Sequence, residues 1–504
     1  MKTSHFMFLI LLILILFSCS EIGISTDDIN RDKDLSSIAP KKVTQLGSVT
    51  FTNPLGDGAD PYIVKAGGKY WKCGSTGTAV YVHDGTETLT NANGMPATCV
   101  YTPPAGTMFS CHLWAPELHY LSGRWYIYCC ADDGVDANHR MYVLEGGTDS
   151  TNPLSSPFLP KAKLIPIGSD YFAIDGHPFF YGNQLYFVWS GWPSTTSGTQ
   201  RLYIAKMSNP YTISSARVEI SRPDNAWEQI GYPTITVNEG PHVLISGTTV
   251  NIIYSASASW LDDYCLGRLT CTSSNLLLKS NWVKTGPVFS KTSTVWGPGH
   301  ASFVTSLDNK QFWIIYHGAK YSGAGWDRDV RMQQYSWDAN IPYFGKPLDP
   351  GVIMSGASNG ETPLVNGVYK ITSKNSNKCM DVPAGTSTPG TIIQQWSDNG
   401  NIAQRWLFTD MGDGYYKISS MCNNLCLDNA GSSINPGTKI IQWTDNGANA
   451  QRWRVENYNN GYFRIVNKKS LLAIDMPSFS DGAQFQQWIL NIYDAQLFKI
   501  ELQP

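Results

Sequence analysis

Charge is scarce in this chain: only 15% of its 504 residues are Asp, Glu, Lys or Arg, and the two signs nearly cancel to −3. No basic run exceeds short pairs such as Lys41-Lys42. The electrostatic footprint that phosphate backbones demand is missing, which excludes nucleic acid as a partner. After the N-terminus no hydrophobic run of membrane-spanning length follows. Cysteines occur, but no CxxC pairs stand at zinc-site spacing. What the chain does have is glycine (45), tryptophan (17) and tyrosine (26). That mixture suits turn-rich β structure with aromatic contact surfaces, and not disorder or coiled coil. The length calls for two domains. A near-neutral, aromatic-rich chain suits neutral ligands such as sugars.

The first residues read as a targeting signal. Lys2 and His5 precede an apolar run from Phe6 to Phe17, too short for a membrane span. The run ends in Leu16-Phe17-Ser18-Cys19, which resembles a bacterial lipobox. Residues 1–18 are then a lipoprotein signal peptide, Cys19 is the lipidated N-terminus, and the polar stretch 19–46 is a tether. The bland alternative is a plain secretory signal with a chance cysteine. The expected location is exported: a bacterial outer-membrane or cell-surface lipoprotein, or periplasmic, touching membrane through the anchor only. Export permits disulfides, with Cys422/Cys426 and Cys265/Cys271 as candidate pairs. Cys129 and Cys130, in an apolar strand, read as free buried thiols.

A repeat follows the tether. Gly68–Ser75, Gly123–Ala131, Gly182–Gly191, Gly247–Ala256 and Asn309–Gly318 share a turn, an aromatic or β-branched run and a small or polar stop. Their spacing of about 55 to 66 residues matches four-stranded propeller blades, so residues 47–350 are read as a five-bladed β-propeller. Ahead of these segments stand Asp60, Glu117, Asp175, Glu239 and His300, one per blade. The first strand of a blade lines the axis, so five polar groups converge on one cavity, an arrangement suited to acid–base chemistry. The competing reading is hydrogen-bonded channel filling, which is preferred for Glu117.

Gly351–Leu364 is Gly/Ser-rich and reads as a domain boundary. Beyond it Asp381, Asp428 and Asp475 recur every 47 residues, with Trp396, Trp443 and Trp488 in step and a Q-x-W/F series at Gln404-Arg405-Trp406, Gln451-Arg452-Trp453 and Gln496-Leu497-Phe498. Three such repeats over 364–504 mark a β-trefoil. The fold class is therefore all-β, a five-bladed propeller followed by a trefoil.

Gly58-Ala59-Asp60-Pro61-Tyr62-Ile63, Leu113-Trp114-Ala115-Pro116-Glu117-Leu118, Ala173-Ile174-Asp175-Gly176, Asn238-Glu239-Gly240-Pro241 and Gly297-Pro298-Gly299-His300 together resemble the family 43 glycoside hydrolases, from about Asn53 to Pro347. The resemblance implies Asp60 as general base, Glu239 as general acid and Asp175 as the group that raises and orients the acid. It implies inversion at the anomeric carbon, with the Asp60 and Glu239 carboxyls roughly 6.5–9.5 Å apart around a water. It implies no cofactor for the chemistry, but a structural Ca²⁺ or Na⁺ at the propeller axis beside His300. His300, Trp114 and Arg331 are implied substrate-site residues, Arg331 lying near the modulating carboxylate. For Trp114 inter-blade packing is the alternative, and for Arg331 a surface ion pair. The WxNDPNG, RDP and EC boxes of the retaining fructosidase group are not matched. The stretches Trp125–Glu145 and Tyr254–Leu266 resemble members that act on α-L-arabinofuranosides, so an exo-acting α-L-arabinofuranosidase working on arabinose- or xylose-containing polysaccharide is expected. β-Xylosidase, arabinanase and a non-catalytic carbohydrate-binding protein are the alternatives.

Val365 to Leu502 resembles ricin-B-type lectins. The resemblance implies sugar contacts at Asp381, Gln394, Trp396 and Gln404, at Asp428 and Trp443, and at Asp475, Gln486 and Trp488, with Trp406, Trp453 and Phe498 in the core. Ile441 stands where the other repeats have Gln394 and Gln486, and Ala403, Ala450 and Ala495 stand where the family often has Asn. A trefoil acting only as a spacer is the alternative.

Overall fold

Each of the five repeated segments becomes the second strand of an antiparallel blade of four or five strands: Lys69–Ser75, Arg124–Asp132, Gln184–Gly191, Thr249–Ala256 and Phe312–Ala319. These strands are apolar almost without a break because both of their faces pack against other blades, so period-2 alternation gives way to a continuous buried run. The computed structural model describes residues 50–504 apart from 197, 232–235, 357–363 and 460. The signal, Cys19 and the tether lie outside them. Among the described residues no helix is long and apolar enough to cross a membrane.

The innermost strands are Tyr62–Ala66, Cys111–Leu121, Ala173–Tyr181, Asn238–Ser246 and Trp296–Thr305. Five apolar clusters seal the five joints between blades. Trp71, Leu118 and Trp125 mark the first joint and Tyr128, Phe187 and Trp189 the second. Val188, Tyr186 and Tyr254 mark the third, Leu266, Phe289 and Tyr316 the fourth, and Tyr70, Trp313 and Val330 the last. The ring is closed by the N-terminal strand Gly56–Asp57, which pairs with Arg328–Asp338 of blade five. The buried Asn53 side chain reinforces the seam: its Oδ1 accepts from the Met332 N–H and its Nδ2 donates to the Met332 carbonyl, both at 2.9 Å.

The trefoil has four strands per repeat, twelve in all. Its barrel strands pair around a closed ring from Gly367–Ser373 through Trp406–Asp410, Tyr416–Ser420, Trp453–Asn459 and Tyr462–Asn467 to Phe498–Leu502, which returns to the first. Trp406, Trp453 and Phe498 fill the core, as expected. The Trp406 and Trp453 Nε1–H groups donate to Met380 O and Leu427 O at 3.0 and 2.9 Å.

The described part of the Gly351–Leu364 boundary is packed: Met354–Ser355 pairs with Thr50–Phe51, and Val352 and Met354 are buried with Val466, Ala473 and Leu490 of the trefoil. Arg464 Nη1 donates to Ile353 O at 2.9 Å and Asn449 Nδ2 to Trp337 O at 2.9 Å, so the trefoil is seated on this strap and on blade five. All ten described cysteines are free. Cys265 and Cys271 cap opposite ends of one strand, about 20 Å apart at strand rise, far beyond disulfide reach. Cys422 and Cys426 face Ser420 and Ser419 instead of each other. Gln404, offered as a sugar contact, is fully buried. It clasps its loop by donating to Ser397 O at 3.0 Å and accepting from the Asn399 N–H at 3.1 Å, and Gln451 and Gln496 do the same in the other repeats.

Candidate active site

Every innermost strand is turned, just ahead of it or within its first five residues, at a position in the left-handed region: Asp60 (φ 47°), Ala115 (41°), Asp175 (54°), Gly240 (54°) and His300 (46°), with His112 (48°) and Gly297 (54°) also left-handed in blades two and five. In blades two to five the pairing register breaks there, as a β-bulge does when it re-aims a side chain. The five positions align as a ring. The sequence aligns with them as Asp-Pro, Ala-Pro, Asp-Gly, Gly-Pro and His-Ala. Glu239 comes one residue before its ring member, as does Trp114.

His300 is the hub. Its Nδ1 lies 3.2 Å from Asp60 Oδ1. Burial disfavours its protonated form, but Asp60, Asp175, Glu239 and Glu117 together raise its pKa above the ordinary histidine value. Its backbone N–H donates to Ser255 Oγ at 2.8 Å. Gly240 is glycine at this point because a Cβ would lie 3.2 Å from the His300 ring in a left-handed backbone.

The three expected acids meet here and diverge in protonation. Burial pushes Asp60 up, but His300, His317 and Arg328 outweigh it and hold the carboxyl far below its ordinary range. Asp60 is also the most open of the three, its side chain 27% exposed. His317 is held down to about 3 by burial; as a neutral ring it accepts the Asp60 backbone N–H on Nδ1 at 3.2 Å. Asp175 is raised to about 7 by burial, opposed by His300 and reinforced by Glu239 and Asp60. Its Oδ2 accepts from the Gly240 N–H at 3.1 Å, which ties it to the strand carrying Glu239. Glu239 is raised by burial against His300, Gln200 and Tyr264. Its Oε2 accepts from Gln200 Nε2 at 2.7 Å and its Oε1 from Tyr264 Oη at 3.0 Å. Asp175 and Glu239 titrate as a pair.

Gln200, Tyr264, His317 and Arg328 are site residues that local sequence did not announce. Tyr264 stacks on His317 at 5.6 Å and fills the space where a Cβ on Gly299 would fall, 2.2 Å from its Cε1. Arg331 is not at the site. It is buried beside Asp329, Nε to Oδ1 at 2.6 Å, and Arg328 approaches Asp60 instead, Nη1 to Oδ1 at 3.7 Å. Trp114 is 37% exposed, with its ring stacked 4.2 Å from His139.

A second ring lies two residues along each strand: Tyr62, Glu117, His177, His242 and Ser302. Glu117 Oε2 accepts from His119 Nε2 and His177 Nδ1, both at 2.8 Å, so it fills the channel as read from sequence. Burial lowers His119 to about 4, His177 to about 3 and His242 well below its ordinary value, leaving neutral imidazoles. His242 Nδ1 and Ser302 Oγ are buried without a protein partner.

In the trefoil Trp396, Trp443 and Trp488 are 41%, 42% and 42% exposed. Gln394 and Gln486 donate to Asp381 and Asp475 at 2.8 and 3.0 Å. In the second repeat Ile441 leaves Gln451 Nε2 to bond Asp428 Oδ2 at 2.7 Å.

Residues 51–341 match the model for Glycosyl hydrolases family 43, and residues 361–443 and 436–488 match that for the Ricin-type beta-trefoil lectin domain-like family. The chain is 37% identical over 322 residues to an "Extracellular exo-alpha-(1->5)-L-arabinofuranosidase" of Streptomyces avermitilis, covering 60% of this chain and 65% of that protein. It is 35% identical to "Alpha-L-arabinofuranosidase 43" of Humicola insolens, covering 62% and 66%. It thus spans just under two thirds of the length of these relatives. An alpha-L-arabinofuranosidase crystal structure from Lactobacillus brevis superposes with a TM-score of 0.55 at 30% identity, over 60% of this chain and 98% of that one.

Proposed function

The chain belongs to glycosyl hydrolase family 43, and we propose that its propeller is an inverting, exo-acting α-L-arabinofuranosidase. The carrying observation is three carboxyls gathered at His300 in unlike surroundings: Asp60, the open one, is held far below its ordinary range, and the buried Asp175 and Glu239 are raised above theirs. Asp60, kept ionised by its basic neighbours, takes a proton from water as the water attacks the anomeric carbon. Glu239 gives a proton to the departing glycosidic oxygen. Asp175, close and like-charged, keeps that proton available near neutral pH. His300, bonded to the base, and Trp114 at the rim contact the sugar. The similarity to the arabinofuranosidases of Streptomyces avermitilis and Humicola insolens supports the arabinofuranose substrate.

A calcium or sodium ion on the axis fits the donors present: His242 Nδ1 and Ser302 Oγ need a partner, and Glu117 supplies charge. Such an ion would supply positive charge below His300 and no reacting group. We further propose that the trefoil binds sugar through Trp396, Trp443 and Trp488 with Asp381, Asp428 and Asp475, that arabinose- or xylose-containing polysaccharide is the partner, and that the chain is exported with Cys19 as its lipid anchor.

Product analysis on arabinan, arabinoxylan and xylan side by side tests the reading. Release of free arabinose with inverted anomeric configuration is expected. Xylose release alone makes the enzyme a β-xylosidase, internal cuts make it an arabinanase, and no product leaves a binding protein.

A further inference from the structure

Beside the mouth of the propeller, three oxygens converge on one fully buried imidazole nitrogen. His139 Nδ1 lies 2.9 Å from Asp136 O, 3.1 Å from Asp132 Oδ2 and 3.3 Å from Asp136 Oδ1. His112 Nδ1 lies 2.8 Å from the same Asp132 Oδ2. The donor atoms of His112, Asp132 and His139 all fall within 4.8 Å of one another. We propose that this cluster is a transition-metal site, holding Zn²⁺ through His112 Nδ1, Asp132 Oδ2 and His139 Nδ1.

The three donors are already close. A tetrahedron with bonds of about 2.0–2.1 Å has edges of about 3.3 Å, and Asp132 Oδ2 lies 2.8 Å from His112 Nδ1 and 3.1 Å from His139 Nδ1. The supporting contacts suit a ligand set. His139 Nε2 lies 3.1 Å from the His112 carbonyl, the outer-shell bond a metal-bound imidazole makes; binding through Nδ1 would replace that nitrogen's 2.9 Å contact with the Asp136 carbonyl, and Asp132 Oδ1 accepts from the Gly134 N–H at 2.8 Å. Asp132 and His139 side chains are 0% exposed, while His112 is 46% exposed and offers the entry path. Two imidazoles among the donors favour zinc over calcium or magnesium, which prefer oxygen alone.

The site pins the rim. Trp114 lies face-on to His139 at 4.2 Å and 5.6 Å from the His112 ring. An ion here would fix that indole without entering the chemistry.

The test is titration of the full chain, stripped with chelator and dialysed, with Zn²⁺ and with Co²⁺ as a visible probe. One equivalent should bind tightly, with the absorption of tetrahedral cobalt. Losing a ligand should exceed the 10–100-fold cost of losing an outer-shell partner, so His112→Ala should bind at least about 100-fold more weakly. Because His112 is half exposed, this variant should fold, which an unchanged circular dichroism spectrum checks. The exposed Asp136→Asn should weaken binding less. No stoichiometric binding by the wild-type chain, or binding undiminished in His112→Ala, would overturn the assignment. The latter result would move the ion to the Glu117, His119 and His177 cluster on the axis.

Discussion

The propeller hub and the trefoil solve opposite problems with the same residue type. In the trefoil three aspartates sit in three near-copies of one environment. Burial raises Asp381, Asp428 and Asp475 alike, and each accepts from glutamine. In the hub three carboxyls from different blades are driven apart: Asp60 is held down, Asp175 and Glu239 are held up. Repetition serves binding, because several equal weak contacts add along a polymer. Hydrolysis needs acids that differ, since one must accept a proton while another gives one. The propeller begins as a repeat like the trefoil and breaks the symmetry by filling five equivalent left-handed positions with Asp, Ala, Asp, Gly and His.

The strongest way to break this comparison is at the acid. Glu239→Gln should lower kcat about 10²–10⁴-fold on arabinan, and less on an aryl arabinofuranoside whose leaving group needs no proton. Near-full rate on arabinan would deny Glu239 its role. The next effect is steric. Gly299→Ala should drive a methyl into Tyr264 and cost about 1–3 kcal/mol of stability, read as a lowered thermal midpoint. Gly74→Ala, with nothing within 4 Å of its Cβ, serves as the neutral control. The smallest effect belongs to the trefoil. Trp396→Ala or Trp488→Ala should weaken retention on an arabinoxylan affinity gel about 2- to 12-fold, the worth of one ring contact, and leave kcat on a soluble aryl substrate unchanged. Trp443→Ala, in the repeat with Ile441, should cost least.

Much of this was legible in the chain. The five second strands, the acids one per blade and the trefoil period all follow from local patterns, because burial on both faces and turn chemistry are local consequences of sequence. The partners of the acids were not. His317 reaches Asp60 across 257 residues and Gln200 reaches Glu239 across 39, and closure of the ring decides both. Arg331 was misread for a related reason. Arg328 and Arg331 share one strand but an odd spacing puts them on opposite faces, and only the pairing with blade one shows which face meets Asp60. Gln404 was misread as a sugar contact because a clasp and a ligand donor use the same amide.

The most direct test of the account is the pH dependence of kcat/KM on an aryl α-L-arabinofuranoside, wild type against Asp175→Asn. Because Asp175 is raised to about 7 and Glu239 is raised above its ordinary range, the wild-type rate should fall with rising pH through neutrality. Without the neighbouring carboxylate the proton on Glu239 is less favoured, so the falling limb should move down by about one unit or more in the variant. A wild-type profile flat through neutrality, or a limb that stays in place when Asp175 loses its charge, would contradict it.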